Sequence, residues 1–202
     1  MGTYLEKLKT YEERMDIEKE GLTITVSGLS GTGKNVLAKA IGKALDLKVV
    51  QTSDVFRELA KEQGISIEEE LTHIGQEQDL KVDKKTLELA KKGKVVLVGR
   101  MAAWAAGDNA DLKIWISVDL EKKAERVANR DKKSIPEAKK DLVRRDNSDT
   151  QRYKELYGID QHDLSVYDML IDNTDLSWKE LTEGTVEKVK HILKERGSID
   201  GD

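Results

Sequence analysis

From Leu22 to Val36 the chain reads Leu-Thr-Ile-Thr-Val-Ser-Gly-Leu-Ser-Gly-Thr-Gly-Lys-Asn-Val, and this stretch restricts the fold more than any other. Leu22, Ile24 and Val26 alternate with polar residues as a short strand does. Val36, Leu37, Ala40, Ile41 and Leu45 then recur at helical spacing. Between strand and helix lies Gly-x-x-x-x-Gly-Lys, where Gly28, Gly31 and Gly33 permit a backbone path that a Cβ would penalise. A strand that turns directly into a helix opens a crossover unit.

The rest of the chain keeps alternating in the same way. Short apolar runs at Lys48 to Thr52, Lys94 to Val98, Leu112 to Val118 and Met169 to Asp172 predict four more strands. Separated by helical stretches, they imply a parallel α/β sheet covered on both faces. Helix starts are marked by Ser66-Ile-Glu-Glu69, Ser134-Ile-Pro-Glu137, Ser148-Asp-Thr-Gln151 and Ser177-Trp-Lys-Glu180, each with the spacing of a capping box. The single proline, Pro136, falls in a first helical turn, where it is tolerated. Residues 1–20 read as an amphipathic helix with Leu5, Leu8, Tyr11 and Met15 on one side, packed against the domain or a partner. Residues 21–202 read as a single domain.

The spacing of the glycine-rich loop has a chemical reason. A polyphosphate is held by inward-turned backbone N–H groups and by the positive end of a helix. Gly28, Leu29, Ser30, Gly31, Thr32, Gly33, Lys34, Asn35 and Val36 are therefore the expected nucleotide contacts of a P-loop. Lys34 would place an ammonium at the β- and γ-phosphates, and the next side chain ordinarily offers Mg²⁺ a hydroxyl. Here that side chain is Asn35. The competing reading, a glycine-rich turn without a ligand, requires strand, loop and helix to coincide by accident.

Composition narrows the class. The 35 basic and 39 acidic residues nearly cancel to a net charge of −4, which argues against a general nucleic-acid or membrane-surface binder. With no cysteine there is neither a disulfide framework nor a thiolate metal site. No apolar run approaches spanning length and the first twenty residues lack a signal-peptide core, so a soluble cytoplasmic protein is expected.

Arginines supply the second signal. Arg126 and Arg130 stand four apart on a predicted helix, and Arg144, Arg145 and Arg152 follow, five guanidinium groups within 27 residues. Phosphoryl transfer asks the protein mainly for charge stabilisation, and the planar guanidinium fork pairs bidentately with phosphate oxygens. A solvated helix face is the alternative, with ion pairs to Glu121, Glu125, Asp131, Asp141 and Asp146. Arg57 and Arg100 follow the second and third strands, where parallel sheets bind ligands. As alternatives, Arg57 could pair with Glu58 or Glu62, and Arg100 could merely end a strand.

Taken together, the loop, Ser53-Asp-Val-Phe-Arg57-Glu-Leu-Ala, Leu97-Val98-Gly99-Arg100, Ala124-Glu-Arg126-Val-Ala-Asn-Arg130 and Arg152-Tyr-Lys-Glu-Leu-Tyr157-Gly-Ile-Asp160 resemble the archaeal type of cytidylate kinase, from about Leu22 to Trp178. The resemblance implies a three-layer P-loop kinase fold with a parallel five-stranded sheet, a monophosphate-binding insertion around 53–92 and a helical lid around 130–150. It places Ser53, Arg57, Asp83 and Gly99 on the acceptor nucleotide, with Arg100 on its phosphate. Arg126 would lie against the ATP base, and Lys34, Arg130, Arg144, Arg145 and Arg152 would serve the transferred group. Asp79 and Asp83 resemble a family acidic pair.

Two departures stand out. Asn35 replaces the usual Ser or Thr, and Val98 replaces an acidic residue before Gly-Arg, so the protein's own contribution to Mg²⁺ is weakened while no metal ligand is assigned. The implied activity is transfer from ATP to CMP or dCMP. The alternatives are a nucleotide-binding protein with little or no catalysis, and a kinase for AMP, UMP or another small acceptor. Small nucleotides are the expected partners, with monomer and homo-oligomer both open.

Overall fold

A computed structural model describes residues 4–62 and 76–200. In chain order the elements are α1 (Tyr4–Glu13), β1 (Thr23–Ser27), α2 (Lys34–Leu45), β2 (Lys48–Gln51), α3 (Thr52–Glu62), α4 (Gln76–Lys92), β3 (Val95–Val98), α5 (Ala102–Ala106), β4 (Leu112–Ser117), α6 (Leu120–Asp131), α7 (Ile135–Tyr157), β5 (Met169–Asp172) and α8 (Thr185–Glu195). The strands form one parallel sheet in the order β2-β3-β1-β4-β5, with Val26 opposite Val98 on one side and Ile114 on the other. The chain fills the sheet to one side of β1 and then to the other. The carboxyl end of β1 is thus where the winding direction reverses, and open α/β sheets bind ligands at such a point.

Every residue of β1 is buried, polar Thr23, Thr25 and Ser27 included. A central parallel strand has no solvent face. The main core joins Ile24, Val26, Val96, Val98 and Ile114 of the sheet to Leu37 and Ile41 of α2 and to Val189 and Leu193 of α8. Val95 and Leu97 point the other way, into a cluster with Ala90, Ala102 and Ala106. Successive side chains of a strand alternate between faces, so β3 feeds both layers.

The sheet follows the sequence pattern within a residue at most ends, and several finer expectations fail. Leu22 lies just before β1. Val36 is 41% exposed because α2 turns Leu37, Ala38 and Ile41 inward instead. Among the described residues the first helix covers Tyr4–Glu13 and stops well short of residue 20, and its inner face is set by Tyr4 and Leu8, leaving Leu5 exposed. Of the four cap signals, Ser134 caps α7 and Ser177 caps the helical stretch over 178–184 that leads into α8. The Ser134 amide donates to Glu137 at 3.0 Å, and the Ser177 amide donates to Glu180 at 2.8 Å. Ser148 starts nothing, since α7 runs uninterrupted from Ile135 to Tyr157 and Thr150 bonds back to the Asp146 carbonyl at 2.7 Å. Once a helix is propagating, a local cap signal has no free N–H groups to satisfy. Ser66 lies outside the described residues.

Candidate active site

The loop from Gly28 to Gly33 wraps the amino end of α2. Gly33 takes φ 94°, and no side chain caps the helix, so its first-turn N–H groups have no side-chain acceptor. A Cβ on Gly28 would stand 2.4 Å from the Ile116 carbonyl oxygen, so only glycine lets the loop leave β1 so close to β4. Lys34 donates to the Leu29 carbonyl at 2.9 Å, folded across the loop that would grip phosphate. Burial pushes its amine down to about 8, and Arg100, Arg145 and Arg130 add to the depression. A cluster of cations around a desolvated amine is stabilised by an anion.

Arg100 leaves β3 through Gly99, where a Cβ would collide with the Thr52 hydroxyl. It joins two sides of the site. One Nη donates to the Ser30 hydroxyl at 2.8 Å and the other lies 2.7 Å from Asp149 on α7, while its buried Nε has no partner. Arg152 grips Asp79 through both Nε and Nη2. Beside them opens a cavity of about 550 Å³ lined by Ser53, Asp79, Asp83, Arg100, Arg144, Arg145 and Arg152, together with Phe56, Met101, Asp149, Tyr153 and Tyr157. A smaller cavity of about 220 Å³ lies between Ser30 of the loop and Arg130, Arg144 and Arg145 of the α6–α7 hairpin.

Not every arginine is gathered. Arg57 is 57% exposed and pairs with Asp54, rather than with Glu58 or Glu62, outside the larger cavity. Arg130 pairs with neighbouring Asp131 and Arg144 with Asp141, while Arg145 has no ion pair among the described residues. Glu121 and Glu125 pair with lysines instead. Arg126 sits on the other side of the loop. It donates to the Asn173 carbonyl at 2.9 Å, and its guanidinium carbon lies 5.3 Å from the centre of the Trp178 ring. Its buried Nη1 has no partner.

Several of these groups escape sequence reasoning. Asn173 ties the β5 end to the loop by donating to the Thr32 carbonyl at 2.9 Å. Buried Lys123 meets Asp146 at 3.2 Å. The only signal for either was a polar residue near a strand end or within an amphipathic helix, and that signal is too common to single them out.

Asn35 donates from its amide nitrogen to Gln51 at 2.7 Å, which leaves its carbonyl oxygen free. Val98 is 2% exposed and packs in the main core, so it presents only methyl groups toward α2. Among the described residues no group of three or more carboxylate or imidazole side chains could hold a metal. One amide oxygen at the loop fits a Mg²⁺ that takes most of its ligands from phosphate and water, and nothing here would hold the ion alone.

A parallel sheet of this order, with a glycine-rich phosphate loop leaving its central strand and arginines set around it, defines a P-loop kinase. Solved structures carry the same fold. A protein from Eubacterium ventriosum superposes with TM-score 0.67 at 18% identity, covering 84% of this chain and 98% of that one. Shikimate kinase from Bacteroides thetaiotaomicron does so with TM-score 0.57 at 15% identity, covering 86% and 98%. Residues 23–175 match the cytidylate kinase-like family, and the chain belongs to that family. Its relatives include the cytidylate kinases of Pyrococcus horikoshii, 44% identical over 77% of this chain and 82% of theirs, and of Methanocaldococcus jannaschii, 40% identical over 76% and 89%. That of Haloarcula marismortui is 37% identical over 90% and 93%. Among the described residues no helix is long and apolar enough to cross a membrane.

Proposed function

We propose that this chain transfers the γ-phosphoryl group of ATP to CMP or dCMP, giving ADP and CDP or dCDP, in the cytoplasm. The observation that carries this reading is Arg100, which spans from Ser30 of the phosphate loop to Asp149 on the wall of the larger cavity. A cation shared by donor loop and acceptor pocket is what an in-line transfer between two phosphates needs.

In this reading the loop amides and Lys34 hold the β- and γ-phosphates, and Arg126 with Trp178 forms a platform for the donor base. The acceptor lies in the larger cavity, its phosphate on Arg100 and its nucleoside toward Ser53 and Asp83. An oxygen of the acceptor phosphate attacks the γ-phosphorus while the bond to the β-bridging oxygen breaks, and the electrons leave on ADP. Arg130, Arg144, Arg145 and Arg152 supply positive charge as the α6–α7 hairpin closes and excludes water. The Asn35 carbonyl oxygen would be the loop side chain to meet a Mg²⁺ arriving with ATP, and the ion would supply neutralisation of part of the phosphate charge. An assay of ADP release across nucleoside monophosphates at saturating Mg·ATP tests the proposal: CMP or dCMP should be preferred, and silence with all of them would end it.

A second reading, binding with weak turnover, rests on the apolar burial of Val98 and the tethered amide of Asn35. It expects Asn35→Thr combined with Val98→Glu to raise kcat by orders of magnitude. An unchanged rate in that double variant would exclude it.

A further inference from the structure

Helix α1 precedes the segment shared with the family, which begins at residue 23. It lies across α4 and α7, burying Tyr4 and Leu8 against Leu87, Met101, Tyr153, Tyr157 and Ile159. Three of these, Met101, Tyr153 and Tyr157, also line the larger cavity. One helix face is therefore the outer support of the pocket wall.

Within that contact Tyr4 does something the other residues of α1 do not. Its hydroxyl donates to the Asp83 carboxylate, and its ring lies 4.0 Å from the ring of Tyr157, centre to centre. Asp83 is 8% exposed, and its open side faces the cavity. The groups facing it are Tyr4 of α1, Asp79 one turn earlier on α4, and Arg152, Tyr153 and Tyr157 of α7, with Arg152 held by Asp79. Burial pushes the Asp83 carboxyl up to about 7, Asp79 adds to the rise, and the Tyr4 hydrogen bond and Arg152 oppose it. Tyr11 offers a comparison on the same helix: its hydroxyl donates at 2.5 Å to Glu88, further along α4 and away from the cavity.

We infer that Tyr4 is a positioning residue for the acceptor, holding the Asp83 carboxylate in the orientation and charge state in which it meets the nucleoside, so that docking of α1 and acceptor binding favour each other. The inference rests on the larger cavity being the acceptor site. A buried carboxylate with one lone pair engaged from behind can present the other in a single direction, and loss of a hydrogen bond to a charged group costs appreciably more than loss of a neutral one. Docking and binding then share a coupling free energy, which is reciprocal.

The test uses the full chain with Tyr4→Phe, which keeps the ring on Tyr157, and Tyr11→Phe as the control. Calorimetry gives the Kd of CMP and of ADP, and steady-state rates give KM for each substrate. Tyr4→Phe should weaken CMP about tenfold in Kd and KM with ADP affinity nearly unchanged. Tyr11→Phe should change neither by more than about twofold. CMP affinity in the wild type should rise as pH climbs through about 7, and in Tyr4→Phe that midpoint should move higher, because the hydrogen bond that favours the ionised carboxyl is gone. A purely structural role would not move the midpoint. Unchanged CMP affinity in Tyr4→Phe, or equal losses for CMP and ADP, overturns the inference alone. A wild-type chain without measurable CMP affinity overturns the acceptor assignment and this inference with it.

Discussion

Lys34 donates its ammonium hydrogen to the carbonyl oxygen of Leu29 five residues earlier, at 2.9 Å, so the loop's one lysine spans the loop it belongs to. The contact is a neutral acceptor for a half-buried cation that has Arg100, Arg145 and Arg130 as neighbours, and the amine is held down to about 8. A polyphosphate replaces that carbonyl with full negative charge.

Binding should therefore take up protons. The amine's pKa in the free protein is about 8 and must rise in the complex, so ATP affinity is fully present below pH 8. Above it, Kd should climb by up to about tenfold per pH unit until the pKa of the complex is reached. Calorimetry at pH 8 in two buffers of different ionisation enthalpy should show a fraction of a proton absorbed per ATP. Lys34→Met should abolish that uptake and lower kcat/KM by about 100-fold or more.

Arg100 predicts an effect on the acceptor and an unpaired acid left behind. Arg100→Ala removes the cation 2.7 Å from Asp149, whose carboxyl burial already pushes up against the opposing pull of that guanidinium. CMP KM should rise and kcat/KM fall by about 100-fold or more. Arg100→Lys should recover little, since Ser30 and Asp149 are reached from two separate nitrogens of the guanidinium fork and an ammonium has only one.

Trp178 is 52% exposed, yet it faces the Arg126 guanidinium beside the loop. An exposed aromatic ring opposite a cation suits a planar base. Trp178→Ala should raise ATP KM roughly threefold to tenfold and leave CMP KM within twofold, read from steady-state kinetics at fixed Mg²⁺.

Val98→Glu alone should lower Tm by several degrees in the absence of nucleotide, because the carboxylate would be placed among Leu37, Ile41 and Val96 without a partner. Mg·ADP should restore much of the loss, since a cation at the loop gives that carboxylate a ligand role. Thermal melts with and without Mg·ADP check this.

The strand-loop-helix at the start of the domain was legible because its determinants are local: alternation in β1, glycines at the turn and the recurrence of Leu37 and Ile41 in α2 all act within a few residues. The same holds for the Ser134 and Ser177 caps. Ser148 carried an equal signal and starts no helix, because the choice between capping and continuing depends on the length of α7. Leu5 and Tyr4 are neighbours with similar claims to the inner face of α1, and the fit of the Tyr4 ring to Tyr157 decides between them.

By itself, then, the sequence determined the fold family, the phosphate loop and the supply of arginines, since these depend on chain-local geometry and on residue type. Tertiary structure decided which arginines face the cavity, that Arg57 stays on the surface, that Asn173 and Trp178 stand beside Arg126, and that Tyr4 reaches Asp83 across 79 residues of chain. Such contacts join side chains far apart in sequence, and their directions are set only when helices pack on a sheet, a condition no local pattern encodes.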